Sequence, residues 1–135
     1  MPTLFPCEIH TPHRPFYTGQ VEAITLTLSD GEIGVYAHHC AFTAPTVSCI
    51  LCIKDDKGEW RSAFITDGIL EVNDHKAVLL VDSAEWPQEI DNERALAAKQ
   101  EAEKNLETPL LKIERERIKV KLRRAEFRLR AWELR

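Results

Sequence analysis

Val21-Glu-Ala-Ile-Thr-Leu-Thr-Leu28 decides the first half of the chain. Val21, Ala23, Thr25 and Thr27 point one way and Ile24, Leu26 and Leu28 the other, the period of two expected of a strand. Working outward, runs of the same kind recur at Ile33–Tyr36, Ser48–Ile53, Trp60–Thr66, Ile69–Val72 and Lys76–Val81. Turn pairs separate them: Asp30-Gly31, Lys57-Gly58, Asp67-Gly68 and Asn73-Asp74. Short β-branched runs punctuated in this way predict an all-β sandwich or barrel. No ten-residue helical pattern interrupts them, which argues against β-α-β units. Residues 1–85 therefore read as an all-β N-terminal sandwich.

The pattern changes at Trp86-Pro87, and residues 86–135 read as an antiparallel α-helical hairpin. Asp91 is a good N-cap, because its carboxylate can accept from the free amides of a first helical turn. Ala95, Ala98, Ala102 and Leu106 follow at helical spacing, giving one small-residue stripe. Thr108-Pro109 breaks this helix, and Pro109 suits the first turn of the next. So short a break predicts a fold-back. The second helix, about Leu110 to Leu134, has one stripe of Leu111, Ile118, Leu122, Ala125, Leu129 and Trp132. Ile113, Val120, Phe127 and Leu134 form another, nearly opposite at about 100° per residue. A hairpin partner covers one face only, so this helix needs a further surface inside or outside the chain.

The 135 residues fit one domain, or a compact domain with an appendage. The net charge of −4 conceals a split. Residues 1–82 hold 5 basic and 11 acidic side chains, whereas residues 112–135 hold 10 basic and 4 acidic. Such asymmetry suits either a terminal arm that meets a charged partner or a solvated basic helix, and the second apolar stripe favours the arm. No run approaches the roughly 20 apolar residues of a membrane span, and the first residues lack the basic and apolar regions of a secretory signal. The four cysteines, Cys7, Cys40, Cys49 and Cys52, are scattered and mostly flanked by apolar residues, so reduced thiols are expected.

No phosphate-binding loop, nucleophile elbow or His-Glu-x-x-His helix is present, so catalysis has no visible vehicle. Cys49 and Cys52 lie three apart in a strand and should face opposite ways, unsuited to sharing a metal. His38-His39-Cys40 lacks accompanying ligands, which makes loop packing the simpler role. One constellation is more specific. Arg124 and Arg128 share a helical face, and a fold-back at Thr108-Pro109 would bring Arg94 towards them. Converging guanidinium groups suit phosphate oxygens, while Glu85 or Asp91 could accept from a base or ribose. From spacing alone, an N-cap with interhelical salt bridges is the simpler reading.

These residues, taken in order, resemble the epsilon subunit of the rotary F-type ATP synthase over essentially the whole chain. Ser29-Asp-Gly-Glu-Ile-Gly-Val-Tyr-Ala-His-His39 resembles the family's S-x-G-E-L-G-I-x-P-G-H loop. Gly68-Ile-Leu-Glu-Val72 resembles its G-G-I/F-L-E-V strand entry. Ile90-Asp91-x-x-Arg94-Ala95 with Arg124-Ala125-x-x-Arg128 resembles the ATP-binding pattern of some bacterial members. Three positions depart. The family's Pro-Gly before the loop histidine is Ala37-His38, the following Ala-Pro is Cys40-Ala41, and Asp67 replaces the first glycine of the pair.

The resemblance implies a non-catalytic rotor subunit on the cytoplasmic face of the bacterial cell membrane, peripheral and without a span of its own. The loop containing Glu32 and His39 would face the membrane ring of c subunits, and another face of the sandwich would bind the gamma subunit. The hairpin would restrain ATP hydrolysis by reaching the catalytic head, its Lys119, Arg123 and Arg130 meeting acidic surface of the beta (and alpha) subunits. No cofactor is required. ATP would be a regulatory ligand of the folded-down hairpin, held by Glu85, Ile90, Asp91, Arg94, Ala95, Arg124 and Arg128. Two competing readings are a stand-alone ATP-sensing module and a nucleic-acid binder. Glutamates interrupting the basic run, and the lack of a matching basic patch in the first half, disfavour the nucleic-acid binder.

Overall fold

The computed structural model describes residues 3–135. Nine strands come first: β1 Phe5–His10, β2 Pro15–Leu28, β3 Gly31–Tyr36, β4 Phe42–Thr46, β5 Cys49–Asp55, β6 Trp60–Ile65, β7 Gly68–Val72, β8 Ala77–Val81 and β9 Ala84–Glu85. A 3-10 turn, Pro87–Glu89, leads to helices α1 (Asn92–Leu106) and α2 (Lys112–Glu133). The result is an N-terminal β-sandwich followed by an antiparallel helical hairpin.

The 14-residue β2 is the spine of the sandwich. Its first half pairs with β1, which pairs in turn with β8 in the one parallel ladder among the described strands. Beyond β8 come β7 and β4. The second half of β2 pairs with β3 on one side and β5 on the other, and β6 and β9 follow β5. One strand thus serves both layers, and a bulge makes this workable. Val21 and Ala23 oppose the adjacent Asp55 and Lys54, so β2 carries an extra residue there. The insertion reverses the alternation. Val21 is buried in the core before it, and Ile24, Leu26 and Leu28 are buried in the core after it. A strict period of two puts these groups on opposite faces; the bulge brings both into the core.

Between the layers lie Ile9, Val21, Ile24, Val35, Leu51, Ile53, Ile65, Leu70 and Leu79, each at most 1% exposed. The anticipated strand runs form, and β1, β4, β9 and the first residues of β2 add to them. Pro6 and Pro45 lie inside β1 and β4, although proline supplies no ladder donor. β4 tolerates Pro45 because it meets β2 only at Leu28 and Thr46 and takes its main pairing from β7. Gly68 is compulsory: a Cβ there would lie 2.0 Å from the Leu80 carbonyl oxygen. His38 takes the left-handed conformation, with φ 64°, at the position where the related pattern carries glycine. The turn is therefore kept, with histidine bearing the strain of that conformation.

The Asp91 side chain caps α1, accepting from the Arg94 amide at 3.1 Å. Pro109 departs from its expected place: α2 starts at Lys112 with Leu111 at the N-cap, leaving Pro109 in the connection. The end of α2 docks on the outer face of β5 and β6. Phe64 is fully buried there, with Ile90 and Ala131 around it and Ile50, Phe127 and Trp132 at the margin. Of the second apolar stripe of α2, Phe127 finds this surface, while Ile113, Val120 and Leu134 remain exposed.

Candidate functional site

Between the two helices and the end of the sandwich lies a groove of about 510 Å³. Four elements supply its walls. β9 and the 3-10 turn contribute Glu85 and Glu89, α1 contributes Asp91, Arg94 and Ala95, and α2 contributes Arg124, Ala125 and Arg128. Ala95, Ala102 and Ala125 are buried, and their small side chains let the helices approach closely while leaving room above them. Six of the seven residues expected at an ATP site therefore line one cavity. Ile90 does not; it lies in the apolar cluster with Phe64 and Ala131, where it fixes the start of α1.

The charges are arranged unevenly. The Arg128 Nε donates to Glu85 Oε2 at 3.2 Å, and its guanidinium stacks over Phe64 at 4.7 Å. Arg124 reaches Asp82 at 3.8 Å, and its Nε is buried without a hydrogen-bond partner. Arg94 is exposed, and the ion pairs among the described residues do not include it. Lys121, Glu89 and Glu101, not singled out from the sequence, also line the groove. The spacing held a signal for Lys121: it stands three residues before Arg124 and so shares its face. Four bases and four acids balance overall, but the carboxylates of Glu85, Glu89 and Asp91 gather at the sandwich end. Such a groove can take an anion on its arginines and a hydrogen-bond donor at its acidic end.

The junction beneath the groove is clamped. Arg14 Nη2 donates to both carboxylate oxygens of Glu89, at 2.9 and 2.8 Å, and the Trp86 amide donates to the same group at 2.9 Å. Desolvation raises the Glu89 pKa, but Arg14 and the Trp86 amide outweigh it and hold the carboxyl below its usual range. Trp86 itself stacks on Phe16 at 4.4 Å and beneath Arg61 at 4.1 Å.

The remaining candidates lie elsewhere. Glu32 is exposed on β3, at the far edge of the layer from β9. His39 packs edge-on against Phe5 at 5.3 Å. Lys119 pairs with Glu116 at 3.7 Å, Arg130 stacks over Phe127 at 4.8 Å, and Arg123 donates to the Ser48 carbonyl at 2.9 Å. Arg123 is thus an anchor of the docked hairpin. Cys49 is buried and Cys52 half-buried, on opposite sides of β5. Burial pushes the Cys49 thiol up, and burial with the nearby Glu8 charge pushes Cys7 up to about 12, so neither is a reactive thiolate. Among the described residues no cluster suits a metal ion, and no helix is long and apolar enough to cross a membrane.

Residues 4–87 match the beta-sandwich domain of the ATP synthase delta/epsilon chain, and residues 88–133 match its long alpha-helix domain. The chain is 46% identical to the ATP synthase epsilon chain of Caldicellulosiruptor bescii, over 96% of this chain and 93% of that one. It is 43% identical to that of Ruminiclostridium cellulolyticum, over 97% and 96%. Among solved structures it superposes on a chain of the Euglena gracilis mitochondrial ATP synthase, in a structure of OSCP, F1 and c-ring. The TM-score is 0.83 at 25% identity, covering 100% of this chain and 84% of that one. A Tetrahymena thermophila central stalk and c-ring structure shares the fold, with TM-score 0.64 at 14% identity over 94% and 95% of the two chains.

Proposed function

The chain belongs to the epsilon-chain family of ATP synthases, and on that premise we propose that it is a non-catalytic rotor subunit whose hairpin is a nucleotide-sensitive brake on ATP hydrolysis. The observation that carries the regulatory part is the groove. Arg94 from α1 and Arg124 and Arg128 from α2 meet beside Glu85 and Asp91, although up to 43 residues separate the members in sequence.

ATP is the ligand of this groove. Its phosphates lie on the arginines, and its base and ribose donors face Glu85 and Asp91. The bound nucleotide bridges both helices and the sandwich, so it binds only when the hairpin is docked. A ligand selective for one form shifts the equilibrium by its differential affinity. ATP therefore holds the hairpin down and away from the catalytic head, and falling ATP releases it. The released α2 presents Ile113, Val120 and Leu134 together with Lys119, Arg123 and Arg130 to acidic surface on the beta and alpha subunits.

The sandwich couples the rotor. The β3 edge with Glu32, and the loop to His39, meet the c ring, and another face meets the gamma subunit; the assembly sits peripherally on the cytoplasmic face of the bacterial membrane. β3 lies at the opposite edge of its layer from β9, so ring contact and hairpin release do not compete for one surface.

Calorimetric titration of the full chain with ATP tests the site. Saturable binding to the wild type that is lost in Arg94→Ala and in Arg124→Ala is expected. No binding at millimolar ATP would return the arginines to a structural role and overturn the switch. Failure to co-purify with the gamma subunit would overturn the rotor assignment.

A further inference from the structure

The buried polar residues Thr46, Ser48 and Thr66 all stand where β4 passes to β5 and β6 to β7. Thr66 is tied within the sandwich, to Ser83 in the connection after β8. Ser48 is tied on two sides. Its amide and hydroxyl both donate to Asp67 Oδ1, at 3.0 and 2.8 Å, and its carbonyl accepts from the Arg123 Nε of α2 at 2.9 Å. One carboxylate on the β6–β7 connection thus fixes the residue from which α2 hangs. The N–H and C=O of Ser48 belong to different peptide units, so Asp67 orients that carbonyl rather than polarising it. A connection that is already ordered loses little further freedom when Arg123 binds to it.

We infer that Asp67 is a positioning residue that acts through Ser48, and that the three residues form a latch holding the hairpin down whether or not a nucleotide is bound. Asp67, Ser48 and Arg123 all lie outside the wall of the groove, so the latch does not depend on what the groove holds. Asp67 also stands where the resembled pattern carries glycine, which has no side chain to hold Ser48. The latch rests on the reading of the hairpin as a movable arm. In that reading Arg123 is one of the bases offered to an acidic partner surface after release. The Ser48 carbonyl therefore competes with that surface for the same guanidinium, and the partner gains Arg123 only when the latch opens.

Chymotrypsin digestion of the full chain, with fragments assigned by mass, tests this. Its sites Phe127 and Trp132 lie in the docked seat around Phe64, whereas Tyr36 and Trp60 are exposed on strands and report on the sandwich itself. When opening and closing are fast, cleavage follows the open population. Asp67→Ala and Arg123→Ala should each speed cleavage at Phe127 and Trp132 about tenfold, the scale of one charge-assisted hydrogen bond, and leave Tyr36 and Trp60 unchanged. The double variant should be cut no faster than either single one, because both remove the same tie. Asp67→Asn should stay near wild type, since an amide oxygen can accept from both Ser48 donors. The latch is overturned, while the movable arm stands, by any of four results: no effect of Asp67→Ala on the α2 sites, an equal rise at all four sites, a double variant at the product of the two single effects, or Asp67→Asn as open as Asp67→Ala. A wild-type chain cut at one common rate at all four sites overturns the movable arm, and the latch with it.

Discussion

The sandwich and the hairpin are built from different materials. Large branched side chains such as Ile9, Ile24, Leu51, Ile53, Leu70 and Leu79 fill the sandwich at 1% exposure or less. The helices meet chiefly on Ala95, Ala102 and Ala125, with half-buried leucines beside them. The hairpin's hold on the sandwich depends on one small cluster around Phe64 and a few polar ties, of which Arg123 to Ser48 and Arg128 to Glu85 are the clearest. Apolar burial stabilises in rough proportion to area. The sandwich should therefore resist unfolding while the hairpin detaches easily, the division of labour that the proposed rotor coupling with a movable arm requires.

The largest expected effect lies in the core. Leu70→Ala should cost about 2–5 kcal/mol, because a fully buried leucine leaves a cavity its rigid neighbours cannot close. Chemical denaturation followed by circular dichroism measures this. Phe64→Ala distinguishes the two regions most sharply: it removes the seat of α2 but little of the sandwich interior. Limited proteolysis should then cut within α2 much faster than in wild type, while the sandwich's denaturation midpoint falls less than in Leu70→Ala. Equal losses in the two variants would mean that sandwich and hairpin unfold as one unit.

A smaller effect, of opposite sign, is expected at His38. Glycine adopts φ near 64° without the steric cost borne by other residues, so His38→Gly should raise stability by about 1 kcal/mol. The same denaturation experiment reads it. The smallest effect concerns the junction. The folded-state pKa of Glu89 is lowered, so its contribution is complete above the unfolded value, roughly 4.3, and is lost as pH falls through the folded value. The Trp86 amide resonance should titrate with a midpoint below that of an ordinary glutamate. Glu89→Gln should abolish that titration.

The sequence was informative wherever local chemistry decides. Asp91 was recognisable as a cap because an aspartate before an alanine-rich helical run has few other uses, and it caps α1 as expected. The strand at 21–28 was legible for its β-branched alternation, but not the bulge within it, since Glu22 differs from its neighbours only in how β5 pairs opposite it. Proline misled once, at α2. Pro6 and Pro45 sit in real strands, and Pro109 lies before the helix it was expected to open.

At the groove, the arginines and carboxylates were visible as a pattern, and their helical spacing placed Arg124 and Arg128 on one face. Lys121 and Glu101 are not legible in the sequence, because a lysine and a glutamate on a charged helix look like any solvated pair until the opposite wall is known. Residue type, period and turn chemistry thus settled the order of strands and helices, because each acts within a few residues. Only the tertiary structure decided which stripe of α2 met the sheet and how far each guanidinium stood from its carboxylate. Those outcomes depend on contacts between segments dozens of residues apart, which no local preference encodes.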